Sequence, residues 1–300
     1  MTPPKVSVVM SVLDGEDYLR EAIDSVLAQS FADFEFVIVD NASTDRTPEI
    51  IASLDDPRIV TVTNTEMLNL SQSLNKGMAT ACGDYVARLD ADDVAMPGRL
   101  EKQAALLDSH PDVVLVASAA TEFSGADDFP GTAPLIPPQD HDALMTALAR
   151  DSILSHSSIM FRREAALAVG GYDEAYAYCM DYLLYFRLAE RHRLAALADP
   201  LVAIRMHAGQ ITHRPEWEAR RHREAATAFR DILARGGLAP DARRGLRRYL
   251  ILTSLRMAVL SLRAAAPGKA ACWFSRALAT GPFLFISVVA SSACRRLRRA

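Results

Sequence analysis

Short apolar runs alternate with stretches of helical periodicity along the first hundred residues. Val6 to Val12 is nearly all apolar and β-branched, the composition of a strand buried on both faces. After a turn at Asp14-Gly15, Leu19, Ile23, Val26 and Leu27 recur at helical spacing within residues 16–29. Residues 34–39 predict a second buried strand that ends at Asp40-Asn41. A helix over residues 47–54 follows, with Ser43 to Asp45 supplying hydroxyl and acidic groups at its entry. Residues 59–63 predict a third strand, 70–81 a third helix and 85–89 a fourth strand. Such alternation with short links implies an α/β chain, a sheet of parallel strands wound with helices on both faces. Ligands of these sheets bind beyond the carboxyl ends of the strands. Asp14, Asp40-Asn41 and Asp90 to Asp93 all fall there.

Farther along, residues 99–109 predict a helix and 113–118 a fifth strand. Residues 121–139, rich in Gly, Pro and Asp, read as an excursion over the surface. Ser155-His156-Ser157-Ser158 precedes a strand-like apolar end. Gly170-Gly171-Tyr172-Asp173 turns into a segment centred on Asp181, which opens a helix carrying Leu184, Phe186, Leu188 and Ala189. Residues 194–198 and 201–205 read as two short strands, followed by a flexible loop with His207, Gly209 and Gln210. From Glu216 onward Ala, Leu and Arg dominate at helical spacing, which predicts several helices.

Charge divides the chain where the pattern changes. Residues 1–213 hold 15 Lys/Arg against 32 Asp/Glu, and residues 214–300 hold 18 against 5. We therefore expect a large catalytic domain over 1–213 and a basic helical extension over 214–300. The extension should meet something anionic. Cys82, Cys179, Cys272 and Cys294 form no C-x-x-C pair, which argues against a disulfide framework or zinc site and fits a reducing compartment. Met1 to Lys5 runs straight into the first strand, without a secretory leader.

The densest chemistry is Asp90-Ala-Asp92-Asp93 at the end of the fourth strand. Hard oxygen ligands there suit Mg²⁺ or Mn²⁺ held together with phosphates. An acidic turn without metal is the alternative that residue type alone leaves open. A calcium EF-hand fails: Asp90, Asp92 and Glu101 fit its first, third and twelfth places, but Ala95 stands where Gly is required. No G-x-G-x-x-G follows the first strand and no G-x-x-x-x-G-K-[ST] occurs, which disfavours hydride transfer and P-loop chemistry. By residue type, Asp181 fits an N-cap or a general base equally.

Five blocks in order resemble the family-2 glycosyltransferases, from Lys5 to about Thr212. They are Val6-Ser-Val-Val-Met-Ser-Val-Leu-Asp14, Val37-Ile-Val-Asp-Asn-Ala-Ser-Thr-Asp45, Leu74-Asn-Lys-Gly77 with Gly83-Asp84-Tyr85, Ala87-Arg-Leu-Asp-Ala-Asp-Asp93, and Tyr172-Asp-Glu174 through Met180-Asp181 to Arg187; Arg205-x-His207 trails them. The resemblance implies a GT-A fold, Rossmann-like, and inverting transfer from a nucleotide-diphosphate sugar. It implies a divalent cation at Asp92 and Asp90, with a donor seat made of Ser11, Asp14, Asp40, Asn41, Asp90 and Arg88. Asp40 and Asn41 would accept an imide N–H, favouring a UDP- or dTDP-sugar over a GDP-sugar. Asp181 takes the place of the general base, while His156, Arg205 and His207 fall to the acceptor and lid. Lys76 reads as a surface residue of its helix.

The implied acceptor is a glycan or a lipid-linked hydroxyl. The basic tail, with 18 uncharged residues from Ala277 to Cys294 between its arginines, reads as interfacial. That places the protein in the cytoplasm, peripheral on the inner face of the cell membrane; a helical cap on the acidic body is the rival reading. Nucleic acid is disfavoured because aromatic residues do not interleave with the basic clusters. Two other functions compete: a sugar-nucleotide nucleotidyltransferase, which would want a Gly-rich basic loop after the first strand, and a non-catalytic nucleotide-sugar-binding protein.

Overall fold

A computed structural model of the chain describes residues 3–210 and 218–297, with side chains through residue 289. Residues 1–144 and 153–207 form one compact unit; residues 145–152 and 208–300 form another. The expected boundary at 213/214 lies outside the described residues, as do the side chains of the second arginine cluster, Arg295 to Arg299. Met145–Ser152 groups with the C-terminal unit for a packing reason. Gly245 approaches Ala149 so closely that an added Cβ would lie 3.0 Å from the Ala149 carbonyl oxygen.

The first unit is built on an eight-stranded sheet. Its strands are β1 (Val6–Val12), β2 (Phe34–Asp40), β3 (Ile59–Thr63), β4 (Tyr85–Arg88), β5 (Val94–Ala95), β6 (Val113–Phe123), β7 (Met160–Arg162) and β8 (Arg193–Arg205). They lie in the order β3-β2-β1-β4-β7-β6-β8-β5. β1 pairs in parallel with β2 and β4, and β2 with β3. β7 is antiparallel to both β4 and β6. Continuous apolar runs make this core because both sheet faces are covered: Val6, Val8, Met10, Phe36 and Ile38 pack with Leu19, Ile23 and Val26 of α1 (Leu19–Leu27).

α2 (Thr47–Ala52), α3 (Leu70–Thr80) and α4 (Arg99–Ser109) follow β2, β3 and β5. Gly77 lets α3 settle on the sheet, where an added Cβ would meet Val9 Cγ1 at 2.6 Å. Three features depart from expectation. β6 runs on to Phe123, so residues 121–123 belong to the sheet and the excursion begins after them. The two strands expected over 194–205 are one, β8, whose pairing with β6 absorbs irregularities near Pro200. Val94-Ala95, unexpected as a strand, pairs antiparallel with β8. The acidic turn is thus anchored in the sheet at both ends.

α5 (His141–Leu148) and α6 (Arg163–Ala168) precede the Gly-Gly turn, and α7 (Met180–Ala189) starts one residue before Asp181. The C-terminal unit contains α8 (Glu218–Arg235), α9 (Pro240–Arg263), α10 (Pro267–Thr280) and α11 (Pro282–Leu297). Among the described residues no single helix is long and apolar enough to cross a membrane. α10 and residues 282–289 pass that test of length and composition together, with a bend of 111° between them. Gly281 and Pro282 make the break.

Candidate active site

β4 ends at Arg88, and the chain turns through Leu89 to Asp93 before β5 begins. One carboxylate oxygen from each of Asp90, Asp92 and Asp93 lies within 4.8 Å of the others. Burial and crowding set their charges apart. Arg88, 1% exposed, ion-pairs with Asp90 Oδ1. Burial, the largest single influence, would raise the Asp90 carboxyl, but the Arg88 charge together with the hydrogen bonds from Arg88 and Ser157 holds Asp90 below the usual carboxylate value. Burial and then the Asp90 charge push Asp92 up, and the same causes with Asp92 added push Asp93 well up.

Asp93, 3% exposed, has structural partners: its Oδ1 accepts from the Arg205 backbone N–H at 3.0 Å, and its Oδ2 lies 2.5 Å from Ser157 Oγ. Ser157 Oγ is also 3.0 Å from Asp90 Oδ2 and accepts from the Asp90 backbone N–H. One hydroxyl therefore pins two carboxylates. This residue escaped sequence reasoning; its neighbour His156 was selected instead.

The end of β8 closes over this turn. Arg205 donates from Nε to the Asp92 carbonyl oxygen at 3.0 Å and pairs with Glu21 Oε2 at 2.5 Å. Its guanidinium lies between the rings of Tyr18 and Phe123, 4.6 and 4.5 Å from their centroids. His207 Nε2 is 2.9 Å from Asp92 Oδ2, and its ring is 4.9 Å from that of Tyr18. Both residues expected at the lid thus meet the acidic turn.

Asp181 stands in the first turn of α7, whose N-cap is Cys179. The N-cap alternative is therefore excluded, although Asp181 Oδ1 accepts from the Tyr182 backbone N–H at 2.8 Å. Burial pushes the Asp181 carboxyl up to about 6; that backbone hydrogen bond and the Arg88 charge oppose the shift, while the Asp90 charge adds to it. Two buried groups near Asp181, Arg88, whose charge acts on it, and Tyr185, whose hydroxyl its charge acts on, have polar atoms without a hydrogen-bond partner among the described residues: Arg88 Nε and Nη1, and the Tyr185 hydroxyl. Buried polar atoms are rarely left this way unless something else binds there. His156 Nε2 is 2.8 Å from the Tyr172 hydroxyl, and burial followed by the Arg88 charge drives its pKa well below the ordinary value. Arg99 runs beneath, donating from Nη2 to the Arg88 carbonyl oxygen. Burial and Arg88 push it down to about 9, still protonated at neutral pH.

The remaining predicted residues lie at the carboxyl ends of β1 and β2, Ser11 and Asp40 within the strands and Asp14 and Asn41 just beyond them. Asp14 Oδ1 accepts from the Thr44 backbone N–H at 2.7 Å, and Ser11 Oγ is 2.7 Å from Ser73 Oγ. Asp40 Oδ1 accepts from the Ser43 backbone N–H at 3.0 Å. Asn41 is engaged within the fold: its oxygen accepts from Leu68 N–H and from Asn64 Nδ2, and its Nδ2 donates to the Leu68 carbonyl oxygen. Lys76 is an exposed residue of α3, as expected, and its ammonium also donates to Asn64 Oδ1 at 2.9 Å. Spacing on α3 could not reveal this, since Asn64 reaches it from the end of β3.

The family model for glycosyl transferase family 2 matches residues 7–170. Among relatives, EpsE of Bacillus subtilis, which bears the name of a glycosyltransferase, is 36% identical over 173 residues, 56% of this chain and 60% of that protein. The chain thus matches less than two-thirds of that relative's length. The fold is similar to that of the mannosyltransferase PcManGT from Pyrobaculum calidifontis, solved with GDP-Man and Mn²⁺ (TM-score 0.64, 22% identity, 98% of this chain and 81% of that one). It is also similar to TarS of S. aureus, residues 1–349, solved with UDP-GlcNAc (TM-score 0.68, 15% identity, 90% of each chain). With the GT-A architecture, the acidic turn and a family match over more than half its length, the chain belongs to glycosyl transferase family 2.

Proposed function

We propose that this glycosyltransferase moves a sugar from a nucleotide-diphosphate donor to a hydroxyl of a glycan or lipid-linked acceptor, with inversion at the anomeric carbon. The observation that carries the reading is the shared electrostatic environment of the acidic turn and Asp181, with Arg88 acting on both. A carboxyl at about 6 is ionised at neutral pH yet basic enough to take a proton from an attacking hydroxyl. Asp181 is the general base in this reading.

Three crowded carboxylates, two of them pushed up by burial and then by their neighbours' charge, form the hard-oxygen donor set that a divalent cation fits. Asp92 would hold it directly. Asp90, tied to Arg88 and Ser157, would reach it directly or through water. Bound there, Mn²⁺ or Mg²⁺ would act as a Lewis acid on the departing diphosphate. His207 and Arg205 would cover the diphosphate, and His156 with Tyr172 would line the acceptor side.

The carboxylate of Asp40 is our choice for contact with an imide N–H, which favours uracil or thymine as the base. Asn41 supports that seat from within, while Ser11 and Asp14 border it. The mannosyltransferase relative carries GDP-Man and TarS carries UDP-GlcNAc, so both base classes belong in the test. Thermal-shift screening of UDP-, dTDP- and GDP-sugars with Mn²⁺ or Mg²⁺ should show one donor stabilising the protein only when the cation is present. Turnover of that donor should fall by about 10²-fold or more in Asp92→Ala and Asp181→Asn. Undiminished turnover in either variant, or stabilisation by nucleoside triphosphates alone, would overturn the reading.

The C-terminal unit is proposed to dock on an anionic lipid surface at the inner face of the cell membrane. Residues 242–300 contain twelve Lys/Arg and no Asp/Glu. Leu262, Phe274, Phe283 and Ile286 are exposed among them, Phe283 by 88%. An apolar face combined with an excess of positive charge, of which only Arg256 is paired by Glu218 among the described residues, suits the headgroup region.

A further inference from the structure

The block Leu74-Asn-Lys-Gly77, with no role in the reaction so far, meets Tyr172-Asp-Glu174 in space. Ser71, Asn75 and Met78 recur at positions i, i+4 and i+7 and share one face of α3. Against that face runs the strap from Gly170 to Tyr176 that leads into α7.

The contacts are almost all polar. Asn75 Nδ2 donates to the Tyr172 carbonyl oxygen at 2.8 Å and to Glu174 Oε1 at 3.0 Å, while its Oδ1 accepts from the Tyr172 backbone N–H at 3.0 Å. One side chain thus brackets both backbone groups of one residue. Ser71 donates to the Tyr176 carbonyl oxygen at 2.6 Å, and Asn69, the N-cap of α3, donates to the Glu174 carbonyl oxygen at 2.9 Å. Gly171 makes the close approach possible: its φ is +64°, and an added Cβ would stand 2.8 Å from Asn75 Oδ1 and 3.1 Å from Met78 Cε.

Beyond the strap, Asp173 Oδ2 pairs with Arg187 Nη2 on α7 at 2.5 Å. The Tyr172 hydroxyl meets His156. A continuous chain of contacts therefore runs from Asn75 through Tyr172 and Asp173 to the helix that carries Asp181.

We propose that Asn75 is a positioning residue for Asp181: by gripping the strap, it fixes where the first turn of α7 stands relative to the acidic turn. The inference rests on the reading of Asp181 as the base. Asn75 touches no reacting atom and acts through Tyr172, Asp173 and Arg187. The amide is suited to this because it donates and accepts on one rigid plane. In Asn75→Asp the acceptor for Tyr172 N–H survives, but both donated bonds become contacts between oxygens, one of them with the Glu174 carboxylate.

Hydrogen–deuterium exchange on the full chain tests the grip without reference to activity. In Asn75→Asp, peptides covering residues 170–183 should exchange at least about tenfold faster, while those from β1 and β2 are unchanged. Turnover of the sugar nucleotide used by the wild type should fall by about 10²-fold, with the dissociation constant of the matching nucleoside diphosphate in Mn²⁺ shifted less than about threefold. Adding Glu174→Gln returns a donor to the pair and should restore part of the rate, a rescue that general destabilisation would not give. Should Asn75→Asp fail to fold, Ser71→Ala, which deletes only the bond to Tyr176, should give a smaller version of the same exchange signature.

Unchanged strap exchange would overturn the proposal. So would loosened exchange with full turnover in a preparation whose Asp181→Asn variant is inactive, or a parallel loss of turnover and nucleotide affinity that Glu174→Gln does not reverse. If the wild type turns over no sugar nucleotide, the reading of Asp181 fails, and exchange alone then decides whether Asn75 holds the strap.

Discussion

Asp181, the general base of the proposed mechanism, would serve catalysis at the expense of stability. Its carboxyl rises from an ordinary 3.8 to about 6, so above that pH the folded protein holds a charge it would rather release. Relative to the unfolded chain, folding favours the protonated form; the penalty is absent below pH 4, grows between pH 4 and 6 and stays constant above. Two pH units correspond to about 3 kcal/mol. Asp181→Asn should therefore raise the melting temperature at pH 8 but not at pH 4, while transfer falls by about 10²-fold or more. Calorimetry at both pH values, with a rate assay at pH 8, checks both halves. For the wild type, turnover should climb with pH through about 6 as the base loses its proton. Asp90, Asp92, Asp181, Arg205 and His207 stand out as candidates in the sequence because carboxylates, Arg and His carry chemistry in their identity and fall into ordered blocks. Ser157 and Asn75 do not, since a hydroxyl or an amide acquires meaning only from the partner that folding brings to it, here from 64 to 99 residues away.

Helix α3 shows the same division among elements. Its apolar side sits on β1 and β2 through Gly77, its Ser73 and Lys76 meet the polar network past the strand ends, and its Asn75 face grips the strap. Gly77→Ala would place a Cβ 2.6 Å from Val9 Cγ1 and 3.2 Å from Val39 Cγ2. Overpacking of this kind should destabilise by about 1–3 kcal/mol, and Val9→Ala in the same chain should recover part of that loss. Urea unfolding of the single and double variants measures it; an additive double variant would show that the two sites do not touch. β1 to β4 were readable because strands covered on both faces must be apolar throughout, and helices between them show a clear period. β5, the full length of β6 and the fusion of β8 were not. Two residues carry no periodicity, and a strand that bends around Pro200 is continuous only because β6 and β5 supply its pairing.

On the scale of the whole molecule the dominant feature is the separation of charge, acidic through residue 213 and basic after it. If the basic part meets lipid, co-sedimentation with vesicles rich in phosphatidylglycerol should exceed that with neutral phosphatidylcholine by about tenfold and weaken as salt shortens the electrostatic range. Phe283→Ser should reduce binding in both salt regimes, because that ring contributes apolar area and no charge. Equal binding to both vesicle types would return the tail to the role of a helical cap. The break at Gly281 has its own consequence. At 1.5 Å per residue, α10 reaches about 21 Å and α11 about 24 Å, and each falls short of a hydrocarbon layer of about 30 Å. If the C-terminal unit docks on lipid as proposed, a chain bent in this way would grip like a hook rather than a pin, entering one leaflet and leaving by the same side. Alkaline carbonate should then strip the protein from membranes without detergent.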